Sequence, residues 1–577
     1  MKNLVPLIVC TLLGSATFTQ CTSEEDMKEI LEELEKVDST FVNDNDSITE
    51  DDDSITEDND SIIGEEDSIV GDVDTIAIAK KPNPLYDLMV NDNSITLFCQ
   101  ALDTTGIGDL LGELGGIDTT YNASNYSNYY YTADFWREVA VVPPYKKKAF
   151  TLFVETDEIL KNKYGITNLE ELSALAKQIY DQTYPEDAGL FDDDVTNPKN
   201  PLYRFVAYHI LTRDVQNLHR LTGLIVNKGI VNGPLGIKTG MMNPIEWYQT
   251  LLPFTMIKCE KLTVSRWKGS DCTLKNYYLN RRWDNQHQIR GAEVANTDVP
   301  SNAMNGRYFY ADDLVAFTTD VRDKVQNMLI RMDFSTVFPE LMTMDIRQNG
   351  DPTNDDNSGS SDETFKNGKN YWFPDEYLEG VSSLSFSNEG RFVYRRPHWN
   401  FWSYQGDEMM LYGDYDIEFT LPPVPFSGEW QVRLGYCALG TRGVAQIYVD
   451  NIPQIRDLDM RVYLDDDRIM GLSFSERSYI EMSNREKTED QKALKRKGYY
   501  RGPYGGYHTD GHVVNEFVTN ARTHRRVLCQ IYIDDKKEHT LRIKNIGNNL
   551  GNNNEFNLDY LELVPQNVYN QEFESDL

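Results

Sequence analysis

The sequence of 577 residues lacks the motifs that most often identify an enzyme or a nucleic-acid-binding protein. It contains no G-x-S-x-G nucleophile motif, no H-E-x-x-H zinc motif and no G-x-x-x-x-G-K-[ST] phosphate loop. Basic residues number 56 against 92 acidic residues, and the resulting net charge of -36 disfavours nucleic acid as a partner. No run of 18 apolar residues follows the N-terminal segment, so no internal membrane span is predicted. We therefore predict a non-enzymatic protein with no catalytic residues, no cofactor and no metal site.

Cysteine is scarce, with seven residues in the chain and no C-x-x-C pair. An odd number that remains after the N-terminal segment argues against a disulfide framework, and the missing C-x-x-C pair argues against a zinc site. We expect buried free thiols, with Cys259–Cys272 and Cys437–Cys529 as the alternative pairings.

The N-terminal segment predicts export and a lipid anchor. Lys2 precedes an apolar run over residues 4–18, and Cys21 follows with a series of acidic residues. This arrangement resembles a bacterial lipoprotein signal, in which residues 1–20 are removed and Cys21 is lipidated. The acidic residues after Cys21 resemble the surface-export signal of Bacteroidetes lipoproteins. The resemblance implies a surface-exposed protein held in the outer membrane by lipid alone, the alternative being an exported protein with a chance cysteine.

Residues 21–80 are predicted to form a disordered acidic stalk. Residues 21–78 contain 22 acidic and two basic residues, so like charges repel and no core offsets the entropy of ordering. An Asp-Ser/Thr-Ile unit recurs five times at a spacing of seven residues, and it resembles the O-glycosylation acceptor of Bacteroidetes secreted proteins. The resemblance implies glycans at Ser47, Ser54, Ser61, Ser68 and Thr75. An unmodified spacer is the alternative.

The first folded domain is predicted over residues 82–345, with insertions and a trailing helix. Four segments, at residues 94–111, 149–158, 205–211 and 301–315, resemble in this order the opening helices and three signature segments of the fasciclin domain. The resemblance implies an α+β fold in an extracellular adhesion or ligand-binding protein. Tyr208 and His209 match a tyrosine-histidine element of that family, but their apolar surroundings favour a packed histidine.

A linker is predicted over residues 346–365, a β-sandwich over 366–566 and an acidic tail over 567–577. Short segments of alternating polar and apolar residues, bounded by turn residues, are typical of a sandwich. Residues 428–436, 445–451, 538–545 and 556–565 resemble strands of galactose-binding-like jelly-rolls, which are common as carbohydrate-binding modules. The predicted fold class is therefore an α+β fasciclin-like domain followed by an all-β jelly-roll sandwich.

Two aromatic clusters in the predicted sandwich are candidates for ligand binding, because aromatic rings stack on the C–H faces of sugars. The candidate residues are Trp399, Trp402, Tyr500, Tyr504, Tyr507 and His508. The alternative is that the tryptophans belong to the core and that the tyrosines pack their loop on itself.

These observations predict a cell-surface lipoprotein that binds glycan, accessory to an outer-membrane polysaccharide importer. One alternative is an adhesin that binds a host or neighbouring-cell protein through the fasciclin-like domain. A carbohydrate-active enzyme is a further alternative, which the missing motifs disfavour.

Overall fold

The structure is a computed structural model, and the residues that it describes lie within one unit, residues 78–577. The described residues are 84–133, 136–215, 245–263, 274–283, 289–295, 303, 305–347, 349, 368–396, 402–469, 482–503, 506–508, 512–514, 520–547 and 554–574. Cys21, the predicted stalk and its five glycosylation sites lie outside this set.

Helices lie mainly in the first half of the described chain. They are α1 (Leu85–Val90), α2 (Thr96–Thr105), α3 (Ile107–Leu114), α4 (Asp157–Ile159), α5 (Leu169–Thr183), α6 (Pro201–Tyr208), α7 (Pro339–Thr343), α8 (Asn484–Lys495) and α9 (Gln566–Tyr569). Short 3-10 or π turns cover Ala123–Asn125, Leu160–Tyr164, Val321–Val325 and Phe334–Thr336. No helix among the described residues is long and apolar enough to cross a bilayer.

Strands run through the whole described chain. The first half contains β1 (Gly116–Ile117), β2 (Tyr129–Ala133), β3 (Trp136–Val141), β4 (Lys147–Lys148), β5 (Phe150–Glu155), β6 (Ile210–Leu211), β7 (Ile245–Gln249), β8 (Met256–Thr263), β9 (Leu274–Trp283), β10 (Ile289–Val294), β11 (Gly306–Ala311) and β12 (Ile330–Asp333). The second half contains β13 (Asn370–Trp372), β14 (Val381–Arg395), β15 (Glu408–Thr420), β16 (Gly428–Cys437), β17 (Val444–Val449), β18 (Ile452–Asp459), β19 (Tyr499–Arg501), β20 (Gly506–His508), β21 (His512–Val514), β22 (Thr523–Ile533), β23 (Thr540–Asn545), β24 (Phe556–Leu558) and β25 (Tyr560–Pro565).

The first region is a mixed α/β structure built on a seven-stranded sheet in the order β6-β5-β11-β10-β9-β8-β7. An antiparallel bridge between Leu211 and Thr250 joins its two edges, so the sheet nearly closes into a barrel. Helices α1, α2, α3, α5 and α6 cover it and share a core with its strands. In α5 the side chain of Asn168 accepts a hydrogen bond from the amide of Glu171, which satisfies one free donor at the helix start.

The second region is β-rich and contains two large sheets around a common core. Five strands follow the order β12-β25-β16-β22-β19, and a second sheet follows the order β18-β17-β23-β15-β14-β13-β3-β2, with β24 paired to β15. Trp430, Val432 and Leu434 alternate along β16 and point into the core between the sheets, as their spacing predicts. The mixed α/β region followed by β-rich sheets agrees with the predicted fold class at this coarse level.

Strands β7 and β8 connect the two cores because alternate side chains face opposite sides. Tyr248 and Ile257 belong to the first core, whereas Trp247 and Met256 belong to the second. The trailing helix predicted at the end of the first domain is only partly correct. The segment instead contains a π turn, strand β12, a 3-10 turn and α7. Met332 keeps helical spacing in the sequence, but pairing with β25 gives its backbone a different set of hydrogen-bond partners.

Cys99, Cys259, Cys437 and Cys529 are buried free thiols, which confirms the expectation for these four residues. Cys272 lies outside the described residues.

Candidate functional site

The candidate ligand-binding site is a cleft at the end of the β-rich region that faces the α/β region. We call it the loop-end cleft, and its volume is about 320 Å³. One wall of the cleft is formed by the β7–β8 turn and the residue after β6. The opposite wall is formed by the residues just before β14, the β15–β16 loop and the β22–β23 turn. The segment before α7 closes the cleft between these walls. Its lining residues are Thr212, Gln249, Thr250, Pro253, Phe254, Thr255, Val337, Phe338, Pro339, Glu379, Gly380, Thr420, Leu421, Pro422, Pro423, Val424, Ile533, Asp534, Asp535, Lys537, Glu538 and His539.

Phe254 is the notable residue of the first wall. Its backbone has a φ of 60°, in the left-handed region that a bulky side chain disfavours, and its side chain is 36% exposed. Hydrogen bonds hold the turn in place: Thr250 and Thr255 share one between hydroxyls at 2.6 Å, and Thr255 donates another to the Leu252 carbonyl at 2.9 Å. A strained, exposed aromatic residue at the rim of a cleft is a candidate for ligand contact.

The β22–β23 turn on the opposite wall is fixed by His539. The Nδ1 atom of His539 lies 2.7 Å from a carboxylate oxygen of Asp450, and its Nε2 atom accepts a hydrogen bond from the Asp534 amide at 3.1 Å. Nδ1 therefore carries the hydrogen and donates a hydrogen bond to the Asp450 carboxylate. Asp450 and Asn451 have φ values of 51° and 62°, which fit a two-residue turn between β17 and β18.

Carboxylates dominate the charged lining of the loop-end cleft. Glu379, Asp534, Asp535 and Glu538 line it together with one lysine, Lys537. Such a lining offers hydrogen-bond acceptors to hydroxyl groups and repels anions. Among the described residues, no group of three or more histidine, cysteine, aspartate or glutamate side chains is placed to hold a metal ion.

Two of the sequence-predicted ligand residues have described side chains, Tyr500 and Trp402, and neither lines the loop-end cleft. Tyr500 is 2% exposed, and its hydroxyl donates a hydrogen bond to Glu574 at 2.9 Å. The Arg433 guanidinium lies 3.7 Å from the centroid of the Tyr500 ring, so its contacts are those of a core residue. Trp402 is half-buried.

The remaining predicted ligand residues fall where side chains are not described. Trp399 and Tyr504 lie outside the described residues, and Tyr507 and His508 are described only as backbone in β20. Their ligand-binding role therefore stays a prediction.

The packed-histidine interpretation of His209 is confirmed. Tyr208 and His209 are both 0% exposed, and the two ring nitrogens of His209 contact the Phe205 carbonyl at 2.7 Å and the Glu155 carboxylate at 2.9 Å. An adhesion partner cannot reach these two residues from outside the folded region.

Phe254, His539 and Tyr532 are not among the residues that the sequence predicts as ligand contacts. No sequence pattern signals a phenylalanine with positive φ, since the conformation depends on the walls around it. A signal was present for Tyr532, because Gln530, Tyr532 and Asp534 alternate with Ile531 and Ile533 in the sequence.

Comparisons with known proteins give only distant structural likenesses. No protein-family model matches the chain, and no curated protein matches it. A Paenibacillus xanthan lyase structure shares 12% identity at a TM-score of 0.19 over 32% of this chain and 12% of its own. A Bacteroides uniformis beta-glucuronidase shares 8% identity at a TM-score of 0.16, over 54% of this chain and 27% of the enzyme.

A second structure, Bacteroides uniformis beta-glucuronidase 2 covalently bound to cyclophellitol-6-carboxylate aziridine, shares 9% identity at a TM-score of 0.15. It covers 56% of this chain and 28% of the enzyme. This chain thus spans less than a third of the length of each of these three proteins. Likenesses of this size carry no argument about activity.

Proposed function

We propose that this protein is a non-enzymatic, glycan-binding surface lipoprotein, and that the loop-end cleft receives a sugar. The observation that carries the proposal is Phe254, an exposed aromatic residue with a strained backbone that lines a cleft of ligand-binding size together with a turn rich in carboxylates. An aromatic ring stacks on the C–H face of a sugar, and carboxylates accept hydrogen bonds from its hydroxyls. The two chemistries together suit a polyhydroxylated ring.

The finer fold assignments are part of the same proposal. In the fasciclin-like assignment, two of the four similar segments are adjacent in space, since β5 and β11 pair in parallel register from Phe150 with Gly306 to Glu155 with Ala311. The jelly-roll assignment is supported by the two sheets that share one core.

The cellular setting is likewise a proposal. We propose that Cys21 carries the lipid, that the acidic segment holds the folded region away from an outer membrane, and that a polysaccharide importer is the partner. Changing Cys21 to serine should release the protein from membranes, because lipid chains are the anchor in this proposal. Continued partition of the Cys21→Ser protein with membranes would contradict it.

Substitutions of Phe254 test the binding proposal. Native gels that contain polysaccharides should retard the full chain, and Phe254→Ala should lose most of that retardation. Phe254→Gly should also lose it while raising the free energy of unfolding by about 1 kcal/mol, because glycine adopts a φ of 60° without steric cost.

Tyr130→Ala is the matched control, since Tyr130 is 40% exposed on β2 and does not line the cleft. Normal retardation of the Phe254→Gly protein would assign Phe254 a structural role instead.

A further inference from the structure

A second cleft lies on the other side of the β22–β23 turn, with a volume of about 600 Å³. We call it the turn cleft. The end of α5, the π turn at Val321–Val325, the end of the β15–β16 loop and the β22–β23 turn form its walls. Its lining residues are Thr183, Tyr184, Pro185, Glu186, Arg322, Asp323, Asn327, Phe426, Ser427, Tyr532, Asp534, Asp535 and Lys536.

The two clefts meet at the β22–β23 turn, since Asp534 and Asp535 line both of them. The turn is held on both sides: the Asp535 amide donates a hydrogen bond to the Ser427 hydroxyl at 3.0 Å, and His539 accepts the Asp534 amide. Lys536 reaches from the turn to the Glu186 carboxylate beyond the end of α5. Both clefts therefore share a wall whose backbone is fixed by hydrogen bonds.

Tyr532 gives the turn cleft its own exposed aromatic ring. This residue is 62% exposed. Phe426 lies in the same cleft and packs against Trp430 with ring centroids 5.0 Å apart, so it is anchored to the core. Each cleft thus combines one exposed aromatic ring with the shared carboxylates of Asp534 and Asp535.

We infer that the loop-end cleft and the turn cleft form one groove for a neutral oligosaccharide, with Phe254 and Tyr532 stacking on different sugar units on either side of the turn. The inference rests on the proposed glycan-binding function and adds to it a second subsite and the class of ligand. Two clefts of about 320 and 600 Å³ offer room for several sugar units.

The charges of the groove select against acidic glycans. In the turn cleft both cations have acidic partners within the same lining: Arg322 lies 2.6 Å from Asp323, and Lys536 contacts Glu186. Asp534 and Asp535 then add negative charge to that of Glu379 and Glu538 in the loop-end cleft. A uronate or sulfate group would meet net repulsion at either subsite, whereas neutral hydroxyls find acceptors.

The test uses the full chain in native gels that contain neutral polysaccharides (xylan, galactan, mannan, mixed-linkage glucan) or anionic ones (polygalacturonate, alginate, chondroitin sulfate). At least one neutral gel should retard the protein, and no anionic gel should do so more strongly. Calorimetry should then be carried out with oligosaccharides of two to eight units from the polysaccharide that retards the protein. We expect oligosaccharides long enough to reach both subsites to bind more tightly than those that fill only one.

Tyr532→Ala should weaken binding of the longest oligosaccharides about 5- to 10-fold and leave the shortest ones unchanged, with Tyr130→Ala as the tyrosine control. If no gel retards the protein, the proposed function itself fails. If Phe254→Ala weakens binding but Tyr532→Ala does not, or if affinity does not depend on length, the second subsite is wrong and the proposed function stands. Stronger retardation by anionic gels would overturn the ligand class.

Discussion

The carboxyl group of Glu340 lies at the start of α7, where it is 4% exposed. Burial raises its pKa to about 7, although its Oε1 atom accepts a hydrogen bond from the Glu379 amide at 2.7 Å. Between pH 4.5 and 7 the unfolded chain ionises while the folded protein keeps the proton. The free energy of unfolding should therefore fall as pH rises through this window, by about 3 kcal/mol from this group.

Glu340→Gln should remove this loss, because glutamine keeps the acceptor for Glu379 without the charge. We expect the variant and the wild type to have similar stability at pH 4.5, and the variant to be more stable at pH 8. Urea unfolding at both pH values measures the difference, with Glu429→Gln on the exposed surface as the control. Equal pH profiles for Glu340→Gln and the wild type would contradict the raised pKa.

Single residues also show where sequence reasoning succeeds and where it stops. The run that contains Tyr208 and His209 predicts burial because every neighbour is apolar, and both residues are buried. For Tyr500 the sequence is misleading. Its glycine-rich neighbours suggest an exposed ligand-binding loop, whereas its ring is covered by the Arg433 guanidinium. The covering partner is distant in sequence, and no local pattern reports it.

At the scale of elements, the five-stranded sheet is covered on both faces. The alternation of Trp430, Val432 and Leu434 along β16 predicts a buried apolar face, and these three residues lie in the core between the sheets. The opposite face carries Arg331, Glu562 and Arg433, which are nonetheless at most 1% exposed. Alternation alone assigns such residues to solvent, whereas here Arg433 donates a hydrogen bond to Glu574 in the chain after α9, and α8 in turn contacts that chain.

The signal for α8 is present in the sequence, because Ser483 and Glu486 form a capping box at its start. Its role as a cover for the sheet cannot be predicted from that signal, since the burial of Arg433 becomes evident only in the folded structure.

The chain after α9 is held to this face by Glu574. Arg433 donates hydrogen bonds to its carboxylate at 2.8 and 3.1 Å, and Lys495 of α8 lies 3.0 Å from it. Glu574→Ala should lower the free energy of unfolding by about 3 kcal/mol, because it removes one partner of a buried ion pair.

Glu572→Ala is the matched control in the same segment, since Glu572 is exposed and pairs only with Lys492 in the described contacts. Chemical denaturation of both variants measures the difference. If Glu574→Ala were as stable as Glu572→Ala, the segment after α9 would contribute nothing to the covering of the sheet.

At the scale of the whole molecule, the two regions share strands that are far apart in sequence. Strand β12 precedes the predicted linker at 346–365 yet pairs with β25, and β3 pairs in parallel with β13. The strands predicted within residues 428–436, 445–451 and 538–545 are present as β16, β17 and β23. Pairing across more than 200 residues depends instead on which hydrophobic faces remain uncovered. The predicted domain boundaries remain a prediction, although the residues on either side of the linker contribute to one core.

A fragment of residues 366–577 should therefore fail to fold cooperatively on its own. It lacks β12, so the edge of β25 loses its partner, and it lacks Phe334 and Phe338, which pack against Phe419 at centroid distances of 5.2 and 6.3 Å. Removal of such large buried residues costs about 3–5 kcal/mol each, which is comparable to the whole stability of a small domain.

A fragment of residues 320–577 restores both features and should melt cooperatively, although below the melting temperature of the full chain. Thermal unfolding followed by circular dichroism compares the three proteins. A cooperative melt of 366–577 within a few degrees of the full chain would show that the sandwich is independent of β12 and of the core residues before the linker.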